Sequence, residues 1–116
     1  MICYDKNDIK DLRNHEDQYY MPSALFDTMQ YKMVRLEVKW AYVACLNVML
    51  KSPLYDNNGN AYIRDDHPQV IEVLKDLAHK NVDHAKIDGY LQELEDCGLL
   101  QREGKNIYLK KISNIF

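Results

Sequence analysis

The chain has 116 residues, 15 of them Lys or Arg and 18 Asp or Glu, for a formal net charge of -3 at pH 7. That length suits one domain whose core folds without disulfide or metal staples. The mild acidity excludes indiscriminate coating of phosphates, so any nucleic-acid site has to be a local concentration of Lys and Arg. Cys3, Cys45 and Cys97 are odd in number, widely separated and without a CxxC pair, and they read as free, mostly packed thiols of a reducing cytoplasm.

Residues 1–18 are polar and mixed in charge, with Ile9 and Leu12 as apolar anchors; they read as an amino-terminal arm, loosely held or forming a short helix, ahead of a domain at 19–116. The opening has no basic stretch followed by an apolar core, and no apolar run approaches the roughly 18 residues that cross a bilayer, so the expectation is a soluble cytoplasmic protein with no membrane partner. Ser23 is placed to cap a brief helical turn through Ala24, Leu25 and Phe26. From Leu36 to Leu50 the chain is apolar on nearly every side, the pattern of a fully buried helix, with Trp40 expected as a core anchor. Ser52 and Pro53 end it. Residues 56–60 then form a turn, with Asn58 and Gly59 the favoured pair for a hairpin between Leu54-Tyr55 and Tyr62-Ile63. A calcium loop is excluded there, since Ala61 stands at the sixth position, where glycine is needed, and His67 at the twelfth, where glutamate is needed.

Residues 68–109 carry the strongest pattern. Val70, Ile71, Val73, Leu74, Leu77 and Ala78 repeat at helical spacing behind Pro68, which suits a first helical position. A short polar break at His79, Lys80, Asn81 and Val82 leads to Asp83, a capping residue, and to a second helix with Ile87, Leu91 and Leu94 on one side and Gly98 as its stop. Leu99 and Leu100 start a strand, residues 102–106 read as a hairpin tip, and Ile107, Tyr108 and Leu109 return. The expected fold is therefore α+β, mainly helical: a winged helix-turn-helix with a buried central helix and short β-hairpins. In that architecture the second helix commonly enters a DNA major groove.

Charge divides unevenly. Residues 98–112 carry Arg102, Lys105, Lys110 and Lys111 against Glu103, a net of +3, whereas residues 83–97 carry Lys86 against Asp83, Asp88, Glu93, Glu95 and Asp96, a net of -4. An acidic helix is a poor surface to lay on phosphates unless its acids lie at the cap and the far end. Off the apolar face, His84, Lys86 and Gln92 have the chemistry to read base edges. Lys80 and Asn81 in the turn, with Arg102, Lys105 and Asn106 in the wing, are candidates for phosphate or minor-groove contact. Gly89, inside the helix, is expected to permit tight packing against the central helix, and Tyr90 to be a partly buried amphipathic residue. An acidic second helix also admits an alternative: a winged helix that binds proteins or dimerises, with Asp88, Glu93 and Glu95 facing a basic partner.

Enzymatic readings find no footing. His15, His67, His79 and His84 form no HExxH or His-x-His pattern for a metal, and Gly104-Lys105 lacks the preceding glycine and following Ser or Thr of a phosphate-binding loop. Neither catalytic residues nor a metal or cofactor are expected.

The run YYMPSALFDTMQYK (residues 19–32), the AY within VKWAYVACLNVMLK, NGNAYI (residues 58–63), and LQELEDCGLL leading to NIYL resemble the amino-terminal domain of the RepA_N family, replication initiators of theta-replicating plasmids and related mobile elements of low-GC Gram-positive bacteria. The resemblance spans residues 19–109. It implies recognition of double-stranded origin repeats to initiate DNA replication, often as a homodimer, in company with host replication proteins.

Overall fold

The computed structural model describes residues 2–13, 20–77 and 84–112. In chain order they form α1 (Lys6–Arg13), α2 (Ala24–Asp27), a 3-10 turn (Met29–Tyr31), α3 (Leu36–Lys51), β1 (Leu54–Tyr55), β2 (Ala61–Arg64), α4 (Pro68–Leu77), α5 (His84–Asp96), β3 (Leu100–Glu103) and β4 (Asn106–Leu109). The architecture is the expected α+β winged helix.

Helix α3 is the hub, packed against α1, α4, α5 and β2. Val38, Ala41, Tyr42, Val43, Cys45, Leu46 and Met49 are fully enclosed, which explains why its sequence shows no polar face. Burial alone pushes the Cys45 thiol up to about 12. Its first turn emerges from the core, and here the structure corrects the sequence reading. Trp40 is no core anchor: it is 37% exposed, its ring 5.3 Å from that of Phe26, and Leu36, one turn earlier on the same side, is exposed as well.

One polar side chain deep in α3 has a specific task. Asn47 accepts a hydrogen bond from the Tyr20 amide (2.9 Å) and donates to the Tyr20 carbonyl (2.7 Å) and to the Val43 carbonyl (2.8 Å). It clamps the backbone before Pro22 onto the helix, where a buried amide without partners would cost about 1–3 kcal/mol.

The two hairpins fuse into a single antiparallel sheet in the order β1-β2-β4-β3, joined where Ile63 faces Ile107. The β1–β2 turn is organised by Asp56, whose Oδ1 accepts from the Asn58 and Asn60 amides at 2.9 Å each, with Gly59 at φ +80°. In the second hairpin the ladder runs to Glu103 opposite Asn106, so the tip is only Gly104 and Lys105; Arg102 and Asn106 lie in strands rather than in the tip. Gly104, at φ +60°, supplies the positive φ that both favoured two-residue hairpin turns demand at that position.

Residues 2–13 share this framework. Asp5 and Asp8 cap α1 reciprocally, each carboxylate accepting the other's amide at 2.9 and 3.0 Å. Ahead of the helix, the Ala61 amide donates to the Tyr4 carbonyl (2.9 Å) and the Lys111 amide to the Ile2 carbonyl (2.8 Å), while Tyr4 and Ile9 are buried in the common core. The segment expected as a loose arm or a short helix thus contains the short helix; the boundary at 18/19 lies outside the described residues.

Tyr4 and Tyr42 complete the interior. The Tyr42 hydroxyl donates to the Lys110 carbonyl at 2.5 Å, so the Tyr4 hydroxyl, 3.0 Å away, donates to Tyr42 and accepts from the Ile112 amide at 3.2 Å. Burial, foremost, pushes the Tyr4 hydroxyl up to about 12 and raises Tyr42 well above its ordinary value.

At the helix-turn-helix, His67 Nδ1 accepts the Gln69 amide at 3.1 Å and so caps α4, while the turn residues 78–83, including the expected break and the Asp83 cap, lie outside the described residues. Helix α5 ends as expected at Gly98, at φ +76°, with Leu99 donating to the Leu94 carbonyl (2.9 Å) and Gly98 to that of Glu95 (3.0 Å).

Two outcomes follow. Tyr42→Phe, which strands the Lys110 carbonyl, is expected to lower unfolding free energy by about 1–3 kcal/mol, read from urea midpoints at unchanged m-value. An unfolded tyrosine ionises near pH ~10 while the folded pair stays neutral, so their stabilisation is complete below that pH and falls as pH rises through the folded values. Stability is therefore expected to decline above about pH 10, less steeply in Tyr4→Phe.

Candidate nucleic-acid interface

Helix α5 buries Ile87, Tyr90, Leu91 and Leu94 and leaves Lys86, Asp88, Gly89 and Gln92 exposed. Because β3 leaves α5 directly after the Gly98 cap, Arg102 comes to lie beside Asp88, Gln92 and Glu95, which line one side of the helix at i, i+4 and i+7. Arg102 Nη1 donates to Asp88 Oδ1 at 2.6 Å and Nη2 to Gln92 Oε1 at 2.7 Å, with Nε 3.8 Å from Glu95 Oε1. The Arg102 backbone amide also donates to Glu95 Oε2 at 3.0 Å. Its side chain is only 18% exposed. Arg102, expected as a wing contact, is committed inward as the clasp between wing and helix.

A second guanidinium works on the opposite flank. Arg35, just before α3, donates through Nε and Nη2 to both carboxylate oxygens of Glu93, at 3.1 and 2.7 Å. The Glu93 hydrogen bond, then its charge, raises the Arg35 pKa above its ordinary value. Below them the Tyr90 hydroxyl donates to Glu37, and burial, then that bond, pushes it up to about 12. Asp96 accepts the Gln92 amide at 3.0 Å. Among the described residues, three of the acids that weighed against α5 in the linear count are paired with arginines from elsewhere in the chain, Asp88 and Glu95 sharing Arg102 and Glu93 held by Arg35.

Lys86 is exposed on the first turns of α5, its ammonium 5.3 Å from the Tyr90 ring centroid. Lys105 stands at the wing tip, 64% exposed, with Nζ 3.7 Å from Asp66. Asn106 opens β4 opposite Glu103 and Arg64. Gln92 has both amide atoms engaged within the domain. His84 begins α5, but its side chain lies outside the described residues, as do Lys80 and Asn81 entirely. Between α4, α5 and the wing is a cleft of about 220 Å³ whose polar lining is Asp65, Asp66, Asp88 and Lys105. Arg64, which the sequence reading passed over, closes on Asp66 at 3.1 Å and holds that carboxyl below its ordinary range.

Gly89 also departs from expectation. It is exposed, and a Cβ built there meets nothing within 4 Å, so it does not serve packing against α3. Its position is on the exposed side of the helix.

No protein-family model and no curated protein sequence matches the chain. Solved structures do. The structure of an MDR initiator superposes with a TM-score of 0.60 at 24% identity, covering 89% of this chain and 84% of the other. The amino-terminal domain of a DNA-binding protein gives 0.56 at 28% identity over 87% and 79%, and a Rep–DNA complex gives 0.59 at 28% identity over 88% and 80%. The chain shares its fold with these three structures. Among the described residues, no helix is long and apolar enough to cross a membrane.

Two substitutions separate the roles. Gly89→Ala is expected to raise stability by about 0.5–1 kcal/mol, because alanine is the better helix former and nothing crowds it. Arg102→Ala is expected to lower it by about 1–2 kcal/mol, because Asp88 and Glu95 lose their shared cation and Gln92 a partner. Thermal melts of both variants check these values.

Proposed function

We propose that this domain binds double-stranded DNA in replication initiation, with α5 in the major groove and the β3–β4 wing alongside it. What supports this most is the shared fold, at 28% identity over 88% of the chain, with a Rep domain solved together with DNA. The pairing of Asp88, Glu93 and Glu95 with Arg102 and Arg35 supports it as well, since it reduces the electrostatic penalty that the linear sequence implies.

In this reading Lys86 reads a base edge or meets a phosphate, Lys105 and Asn106 meet the backbone beside the wing, and Lys80, Asn81 and His84 approach from the turn and the start of α5. Arg102 and Gln92 position the wing. They do not need to touch DNA to matter. The RepA_N resemblance extends the proposal to origin repeats of a plasmid or related element, to a homodimer, and to host replication proteins as further partners. Exposed Met33, Leu36 and Trp40 around the start of α3 give a second copy apolar surface to use. The domain is read as a binding module, not an enzyme.

Fluorescence anisotropy with duplex fragments tiling the coding and upstream DNA, at two salt concentrations, tests the proposal. Saturable binding to one fragment is expected, and Lys86→Ala with Lys105→Ala should make the logarithmic salt slope shallower by about 2. No preference for any fragment, with the double variant unchanged, would point instead to a protein-binding winged helix, with the Asp66–Asp88 cleft facing a basic partner.

A further inference from the structure

Helix α1 carries Lys6, Lys10 and Arg13 at i, i+4 and i+7, a spacing that sets three cations along one side of a helix. They line, with Asn7, Ile9 and Tyr55, a groove of about 430 Å³ between α1 and β1. The acids of the same helix are turned away or occupied: Asp8 is bound to the Lys111 ammonium at 2.7 Å and to the Asp5 amide, and Asp11 does not line the groove. Among the described residues Arg35, Arg64 and Arg102 each clasp a carboxylate, whereas Lys6, Lys10 and Arg13 make no ion pair. In a chain of net charge -3 this is a concentrated cationic surface without an ion pair among the described residues.

The groove holds an aromatic too. Tyr55 is 37% exposed, and the Lys6 ammonium lies 5.9 Å from its ring centroid. Cations in a row beside an accessible ring are the chemistry of a surface that follows a single strand: ammonium and guanidinium groups meet successive phosphates while a base stacks on the aromatic. The row runs about 10 Å along the helix axis, the length over which one strand of B-form places about three phosphates. A duplex keeps its bases stacked inside and has no use for a ring in a groove, and an acidic peptide would use the cations alone.

The location separates this surface from the proposed duplex-reading one. β1 is one edge strand of the sheet and β3, clasped to α5 by Arg102, is the other. We propose that the α1–β1 groove is a binding site for single-stranded nucleic acid, with Lys6, Lys10 and Arg13 on the phosphates and Tyr55 under a base. The site is independent of whether α5 reads duplex DNA.

The test is anisotropy of the full chain with a fluorescent twelve-nucleotide oligothymidylate, run beside a duplex of equal length. Saturable binding with a logarithmic salt slope of about -2 is expected, from three phosphate contacts on a single strand. The double variant Lys10→Glu/Arg13→Glu should weaken it by about tenfold or more and Tyr55→Ala by about fivefold or more, Tyr55→Phe should keep it, and duplex affinity should not change. Both cations lie on the exposed side of α1, and unchanged melting temperatures would verify that the variants fold. The proposal is overturned if oligothymidylate does not bind, if Tyr55→Ala leaves the affinity untouched, or if polyglutamate competes as well as oligothymidylate, which would mark an acidic-peptide site. It is equally overturned if Lys86→Ala/Lys105→Ala removes oligothymidylate together with duplex, since both would then share the α5 surface.

Discussion

A helix buried along most of its length has to settle the polar groups it brings inside, and the hydroxyl of Tyr42 is where it does so between the most distant parts of the chain. Its single proton goes to the Lys110 carbonyl, which obliges Tyr4 to donate to it and leaves the Tyr4 oxygen to receive the Ile112 amide. Three parts of the chain that are far apart in sequence are thereby held at one point: the segment before α1, the middle of α3 and the exit from β4. The backbone pairing of residues 2–5 with both hairpins depends on that point, because it is Tyr4 that carries them across the sheet. Among the described residues no buried side-chain nitrogen or oxygen is left without a hydrogen-bond partner. This is what a low-dielectric interior requires when hydroxyls and an amide are placed within it.

The charge of α5 shows why a local count can mislead. Summed along the chain, its segment repels a polyanion; assembled, it carries two guanidinium clasps from outside the helix. Each clasp has a structural consequence as well. Arg35 ties the start of α3 to the outer side of α5, and Arg102 ties the wing to the other side. The exposed members of these pairs contribute little stability singly. Their larger effect is to hold three acids of α5 against guanidinium groups, on a surface where Lys86 and Lys105 are exposed.

The order of the sheet distributes the remaining cations. With β1 and β3 at opposite edges, the groove of α1 and the face of α5 are served by different strands and are built from different ends of the chain. One small core, centred on α3, therefore supports two surfaces of different chemistry: a convex helix with an attached hairpin, and a concave groove with a ring in it.

Much of the architecture was present in the sequence because it depends on neighbours in the chain. The apolar run of residues 36–50, Pro68 at a first helical turn, Gly98 as a left-handed stop and the glycine-bearing hairpins are local rules, and each element stands within a residue or two of where the pattern puts it. Candidate chemistry was legible only as residue type and spacing: that Lys86 and Lys105 are exposed follows from periodicity and from turn position. What tertiary structure alone decided are the pairings across long separations. Arg35 meets Glu93 58 residues away and Tyr42 meets Lys110 68 residues away, and no local pattern encodes such partners. The same holds for Trp40, whose side of α3 is covered or bare according to what packs there, and for Gly89, which faces open space rather than a helix. Periodicity tells which residues share a face. Only the packing of the other elements decides which face is inside, and which charges are already spent when a partner arrives.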